Sequence, residues 1–246
     1  MLINNINPTL LQLGPFEIRY YGIIFALGFL ITLFYLKWQI KKKNLELTED
    51  QLDSLILYLI IFVVLFSRVI HVIFWEPSYY FNNPLEIFKL WKGGLAFYGG
   101  LIGAALAVYY FCKKNKFPVL RLADFLIIPA TFGLALGRIA NFTNGELYGP
   151  ITNLPWCVQF QGVDGCRHPY QIYSAIKRFL IFTYLIFIDK TKHKDGFVFA
   201  NFLILISIGR FLLDFLREDI RFFLTPGQYL SILALIIGIW IYKRTK

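Results

Sequence analysis

The chain has 246 residues, 57% of them hydrophobic, 19% aromatic and only 16% charged, with a mean hydropathy of +0.58. A soluble domain carries about 25% charged residues, so this composition argues against a water-soluble protein and for one integral-membrane domain over residues 1–246. The formal charge of +10 does not point to nucleic acid, because the lysines sit in short clusters between apolar runs.

A spanning helix needs about 20 mainly apolar residues to cross a hydrocarbon core of about 30 Å. Seven stretches come near this, at about 17–37, 52–74, 94–112, 119–139, 171–189, 197–216 and 225–242. The predicted fold class is therefore all-α: a polytopic membrane protein of about seven transmembrane helices. No short apolar segment with a small-residue cleavage site opens the chain, so the first span is expected to be retained. Basic clusters follow spans one (Lys37, Lys41, Lys42, Lys43), three (Lys113, Lys114, Lys116, Arg121), five (Lys190, Lys192, Lys194) and seven (Lys243, Arg244, Lys246). With seven spans all four clusters fall on one side. That side is expected to be cytoplasmic, which puts the N-terminus outside and the C-terminus inside.

The opposite side carries Arg138, Arg167, Arg210, Arg217 and Arg221, with few lysines (Lys89, Lys92). Arginine presents a planar fork suited to phosphate or carboxylate, so anion binding at the outer leaflet is expected there. Span one opens on Tyr20, Tyr21 and Gly22 beside Glu17 and Arg19, which reads as an interfacial anchor. Arg68 and His71 share a face of span two without a clear partner in the sequence. Trp91–Gly103 sets Tyr98 between two glycine pairs, as a hydrogen-bonding or acid/base group or as one more interfacial tyrosine. Gly99 with Gly103, and Gly133 with Gly137, are small-xxx-small pairs that suit helix packing. Cys112 reads as a buried thiol.

The fourth span runs into G-R-I-A-N-F-T-N-G-E-L-Y-G-P, residues 137–150. Arg138 and Asn141 are three apart and share a helical face, and Gly145 and Gly149 let Glu146 fold back. Ionisable residues at membrane depth mark a substrate path or a reaction centre; the plainer alternative is a salt bridge from Arg138 to Glu146 that ties the loop down. The external loop, about 141–169, contains Cys157 and Cys166, which could pair in an oxidising compartment. In R-H-P-Y-Q-I-Y, residues 167–173, Pro169 suits the first turn of span five, and His168 can gain or lose a proton near neutral pH. Arg210, Asp214 and Arg217 recur at i, i+4 and i+7, one stripe on span six, either an intramembrane ion pair or, with Arg138, a clamp for one phosphate. No Walker-type loop, HExxH, GxSxG or metal-spaced histidine pair occurs.

The 137–149 stretch closely resembles the signature of phosphatidylglycerol–prolipoprotein diacylglyceryl transferases. Y-Y-G at 20–22, G-G-L-A-F-Y-G-G-L-I-G at 93–103, R-H-P-Y-Q-I-Y at 167–173, G-R-F-L-L-D-F-L-R at 209–217 and T-P-G-Q-Y-L-S at 225–231 follow in the family's order. The resemblance implies a seven-span enzyme of the bacterial cytoplasmic membrane that needs no cofactor. It would move the diacylglyceryl group of phosphatidylglycerol to the lipobox cysteine thiol in the signal peptide of a preprolipoprotein, releasing glycerol phosphate. It further implies that Arg138 binds the lipid phosphate, that Asn141, Glu146 and Gly149 shape that site, that Arg210 is a second essential arginine, and that Tyr21 lines the lipid pocket. Where the family pattern has a histidine, this chain has Tyr98, a poor resting base with an unperturbed pKa near 10 against about 8.5 for a thiol. His168 is then a second candidate base. The rival readings are a non-catalytic membrane transporter of lipid or anion and a different lipid-modifying enzyme such as an acyltransferase. A lipobox peptide and phosphatidylglycerol separate them: thioether formation marks transfer, and lipid flux alone marks transport.

Overall fold

The computed structural model describes residues 2–13, 16–42, 44–218 and 223–245. Lys43, Arg221 and Lys246, counted above among the basic residues, lie outside the described residues. Long helices dominate: α1 Tyr20–Lys41, α2 Glu49–Phe74, α4 Phe97–Asn115, α5 Val119–Thr143, α6 Tyr170–Asp189, α7 Phe197–Leu213 and α8 Pro226–Thr245, with a short α3 at Pro77–Asn82. Among the described residues six of these, α4 excepted and α7 taken with the turn that carries it on to Leu216, are long and apolar enough to cross a membrane. The chain is a multi-pass helical membrane protein. α4 coincides with the third predicted span, but Lys113, Lys114 and three tyrosines (Tyr98, Tyr109, Tyr110) dilute its 19 residues. On α2, Leu57, Ile61, Leu65 and Ile73 are all exposed at spacings of four and eight. An apolar stripe of that kind suits contact with acyl chains rather than water.

Two features depart from the all-helical expectation. Residues 17–19 do not begin α1; they belong to β3 (Phe16–Arg19), which pairs antiparallel with β2 (Thr9–Leu13). The Glu17 carboxylate accepts from the Arg19 guanidinium at 2.7 Å, a pairing that an i, i+2 spacing allows on one face of a strand and a helix does not. Likewise β1 (Leu2–Asn4) runs parallel to β4 (Val158–Phe160).

The chain divides into two compact units. The second, residues 33–122, is built on α2 and α4. α2 starts with a reciprocal cap in which Thr48 accepts from the Gln51 amide and Gln51 from the Thr48 amide. Gly99 and Gly103 lie against the α2 backbone: a Cβ on the first would meet the Phe66 carbonyl, and one on the second the Phe62 carbonyl. This is the close approach expected of that glycine pair. Arg68, 4% exposed, has its partners after all. It donates to the carbonyls of Glu86, Ile87, Gly93 and Gly94 and lies 4.9 Å from the Tyr80 ring centre. Backbone acceptors carry no residue-type signal, so the sequence could not show them. Arg68 thereby pins the 3-10 turns at Pro84–Phe88 and Leu90–Lys92. Hydrogen bonds from Lys89 and Lys92 hold the Glu86 carboxyl below its ordinary range, so this surface tie persists at mildly acid pH and is lost as pH falls through that lowered value.

The first unit, residues 1–32 and 123–246, carries the signature. α7 begins at Gly196 with φ +94 and no capping side chain of its own. Asp124 of α5 supplies the cap, accepting from the Gly196 and Phe199 amides at 2.6 and 2.7 Å. α8 opens with Thr225 and Gln228 bonded reciprocally, Pro226 between them. Gly133 approaches Gly28 of α1, whereas a Cβ at Gly137 would meet nothing within 4 Å; only the first of that glycine pair serves packing. In the loop between α5 and α6, Cys157 and Cys166 form a disulfide across a 5.5 Å Cα separation, and Cys112 is a buried free thiol. Alkylation without reductant should therefore modify one cysteine, and only after denaturation, as read by intact mass; three should react once the protein is reduced. Replacing Asp124 with alanine strands two helix-start amides and should cost about 1–3 kcal/mol, measurable as a lowered thermal unfolding midpoint in detergent.

Candidate active site

α5 carries Arg138 and Asn141 on one face, and the Arg138 Nη1 donates to Asn141 Oδ1 at 3.2 Å. The helix then stops at Gly145 (φ +68). The Gly145 amide bonds the Phe142 carbonyl and the Glu146 amide the Asn141 carbonyl, both at 3.1 Å. This paired closure satisfies the last carbonyls of the helix and needs a left-handed residue, which glycine supplies without strain. It also returns Glu146 to Asn141, whose Nδ2 donates to Glu146 Oε1 at 2.7 Å. Asn144 Nδ2 reaches the same oxygen at 3.3 Å, and Gln171 on α6 donates to the Glu146 carbonyl at 2.6 Å.

Arg138 and Glu146 are thus not a direct ion pair. An amide has one acceptor end and one donor end, and Asn141 turns the first to the cation and the second to the carboxylate. Beyond Glu146 the backbone tightens at Leu147, a non-glycine residue at φ +58, a conformation that costs about 1–2 kcal/mol.

Gly149 sits where three segments meet. A Cβ there would collide with the Leu216 carbonyl and the His168 side chain, and its amide donates to the His168 carbonyl at 2.9 Å. Its part in the site is to permit that approach. His168 Nδ1 lies 3.3 Å from the Tyr173 hydroxyl. Pro169 caps α6 from just outside rather than opening its first turn.

At the end of α7, Asp214 is fully buried and saturated with donors. Tyr170 donates to Oδ1 at 2.5 Å; Arg210 Nε and Thr225 Oγ1 reach Oδ2 at 3.5 and 3.4 Å. Gly227 makes room for this pair, since a Cβ there would meet both the Asp214 carboxylate and the Arg210 guanidinium. The expected Arg210–Asp214–Arg217 stripe is interrupted. α7 ends at Leu213, a 3-10 turn covers Asp214–Leu216, and Arg217 is extended at φ −106, ψ 137. Arg217 nevertheless shares the site: Arg138 lies within electrostatic range of both Arg210 and Arg217. Tyr21 of α1, 42% exposed, lies within range of Arg138 and Glu146.

The first unit thus gathers Tyr21, Arg138, Asn141, Glu146, Gly149, His168 and Arg210. Tyr98 belongs to the second unit. There it is half-buried in the first turn of α4, 5.7 Å from the Phe97 ring, after a turn made by Gly93 and Gly94 at φ +85 and +77.

Two cations of the cluster were not foreseen. Arg178 of α6 is 6% exposed and donates to the Ser174 carbonyl at 2.9 Å and to the Ser174 hydroxyl. Lys177 beside it lies in the fields of Arg178, Arg138, Arg210 and Asp214. The signal was present, since two adjacent cations well inside a predicted span are rare without a task. Together these groups can hold an anion with several positive charges close to the membrane.

The description prolipoprotein diacylglyceryl transferase belongs to the family model that matches residues 8–244. The chain is similar to proteins named phosphatidylglycerol–prolipoprotein diacylglyceryl transferase from three bacteria. That of Rickettsia canadensis is 39% identical over 249 residues, covering 97% of this chain and 96% of the relative. The Geobacter sulfurreducens protein is 38% identical over 238 residues, 95% and 88% respectively. The Legionella pneumophila protein is 36% identical over 247 residues, 97% and 96%.

The two glycines flanking the cluster should answer differently to the same change. Gly149→Ala forces a methyl into backbone and should destabilise by about 1–3 kcal/mol, whereas Gly137→Ala meets open space on a helix and should be neutral or stabilising by up to about 1 kcal/mol. Thermal unfolding of the two variants side by side checks the contrast.

Proposed function

The chain belongs to the prolipoprotein diacylglyceryl transferase family, and from that premise we propose that it transfers the diacylglyceryl group of phosphatidylglycerol to the lipobox cysteine thiol of a preprolipoprotein. The products are a thioether-linked diacylglyceryl protein and glycerol phosphate. The observation that carries this reading is the family match over residues 8–244, which contains the whole 137–150 cluster. A transporter is not favoured by it.

The protein acts as a single transferase domain in the cytoplasmic membrane of a bacterium. α4 is the seventh span, the N-terminus is outside, and the lysine clusters are cytoplasmic. The Cys157–Cys166 disulfide supports an external position for the 141–169 loop, because such bonds persist in oxidising compartments. On that side both the outer-leaflet lipid and an emerging peptide can reach the arginines.

Each residue then has a task. Arg138 and Arg210 hold the lipid phosphate; Asn141 and Glu146 orient Arg138; Gly149 allows the loop to close on His168; Tyr21 lines the lipid pocket. The sulfur attacks the glycerol carbon, and the bond to the phosphate oxygen breaks. Nearby arginines favour the thiolate and neutralise the departing phosphate. Tyr98 orients the thiol, and His168 is the second candidate to receive its proton.

In a transfer assay with phosphatidylglycerol and a lipobox peptide, Arg138→Ala and Arg210→Ala should each lose on the order of 10²–10³-fold in kcat, and Tyr98→Phe less than about tenfold. A fully active Arg138→Ala sinks the phosphate assignment. Tyr98→His should raise the rate on the alkaline side of the imidazole pKa, near 6.5, if proton removal limits the reaction. An unchanged pH–rate profile would show that Tyr98 has no part in it.

A further inference from the structure

The proposed transfer gives Arg138 and Arg210 a phosphate and leaves Lys177 without a task. Its aliphatic stem runs along α7 at Gly209, where a Cβ would collide with the lysine Cδ. That contact sets Lys177 beside the residue preceding Arg210. Its Nζ has no accessible surface and no hydrogen-bond partner. The neighbouring carboxylate, Asp214, already accepts from Tyr170, Arg210 and Thr225. The other charges acting on Lys177 are those of Arg178, Arg138 and Arg210. Arg178 is tied to Ser174 on its own helix turn, with its Nε also unpartnered.

A buried ammonium among guanidinium groups is costly unless an anion joins it. Methionine has a similar length and would cover Gly209 without that cost. The packing therefore explains the stem of Lys177 and not its charge.

The reaction supplies an anion whose charge grows. In the diester the phosphate carries one negative charge. As the C–S bond forms and the C–O bond breaks, the oxygen leaves with the bonding pair, and the phosphomonoester acquires a second charge. The thiol proton passes to a base such as His168 and from there to solvent, so a thiol and a monoanion become a thioether, a dianion and one proton. Interactions that strengthen as charge develops raise kcat, whereas those equal in both states lower KM only.

Resting on the phosphate-site reading above, we propose that Lys177 is a further catalytic residue, whose ammonium takes a non-bridging phosphate oxygen as the second charge appears. It is the cation matched to the product dianion, and glycerol phosphate is the ligand class it selects.

The test uses the purified full-length protein in lipid nanodiscs, with phosphatidylglycerol, a lipobox peptide and free glycerol phosphate as inhibitor. Lys177→Met should lower kcat on the order of 10²-fold, leave the phosphatidylglycerol KM within about twofold, and weaken glycerol phosphate inhibition by a factor similar to the kcat loss. Its unfolding midpoint should be no lower than that of the unaltered protein, and Lys177→Arg should recover part of kcat. Unchanged kcat and inhibition, a rise in KM alone, or a rate loss matched by loss of folded protein in both variants would each overturn the proposal. A fully active Arg138→Ala would instead overturn the phosphate-site reading beneath it.

Discussion

Asn141 stands between a cation and a carboxylate, accepting from Arg138 and donating to Glu146, and the end of α5 is shaped so that it can. Had Glu146 met Arg138 directly, the pair would have been closer to a locked internal salt bridge, with the guanidinium facing inward. Interposing the amide lets one side chain bond the cation at one end and the carboxylate at the other. The Gly145 turn and the Gln171 contact place Glu146 against that amide.

The second half of the cluster is organised by the opposite device, a carboxylate surrounded rather than held off. Asp214 has no access to solvent, so its charge must be balanced within the protein, and Tyr170, Arg210 and Thr225 do so from α6, α7 and the cap of α8. Three helix ends therefore share one anion. The α8 cap at Thr225 and the room left by Gly227 belong to the same construction, which explains why T-P-G-Q stands at the start of that helix. Gly149 does for the loop what Gly227 does for the helix: each yields volume so that charged or polar groups can close on one another.

The long apolar helices and the signature cluster were legible because each rests on residue type at fixed spacing. What escaped depends on partners that have no residue type. Arg68 looked unpartnered because it binds backbone carbonyls, and β1 and β4 pair across more than 150 positions through main-chain bonds alone. The Arg217 stripe failed because helical spacing presumes a helix, and α7 tightens into a 3-10 turn three residues earlier. Lys177 and Arg178 lie within a span, where positive charge carries no topological label. Their burial, not their identity, separates them from the lysines clustered between spans.

The polarity of the Asn141 amide also fixes what kind of ligand α5 can present itself to. A guanidinium has five N–H donors in a plane, and Arg138 commits one of them to Asn141. The remaining edge is a two-pronged donor whose plane is set from behind. Such an edge distinguishes ligands by the spacing of their oxygens, not merely by charge, and it holds that preference before any ligand arrives. An ammonium at the same place would attract the same anions without choosing the angle at which they bind. The end of α5 is in that sense a stereochemical gauge, and an asparagine sets the way its guanidinium edge is turned.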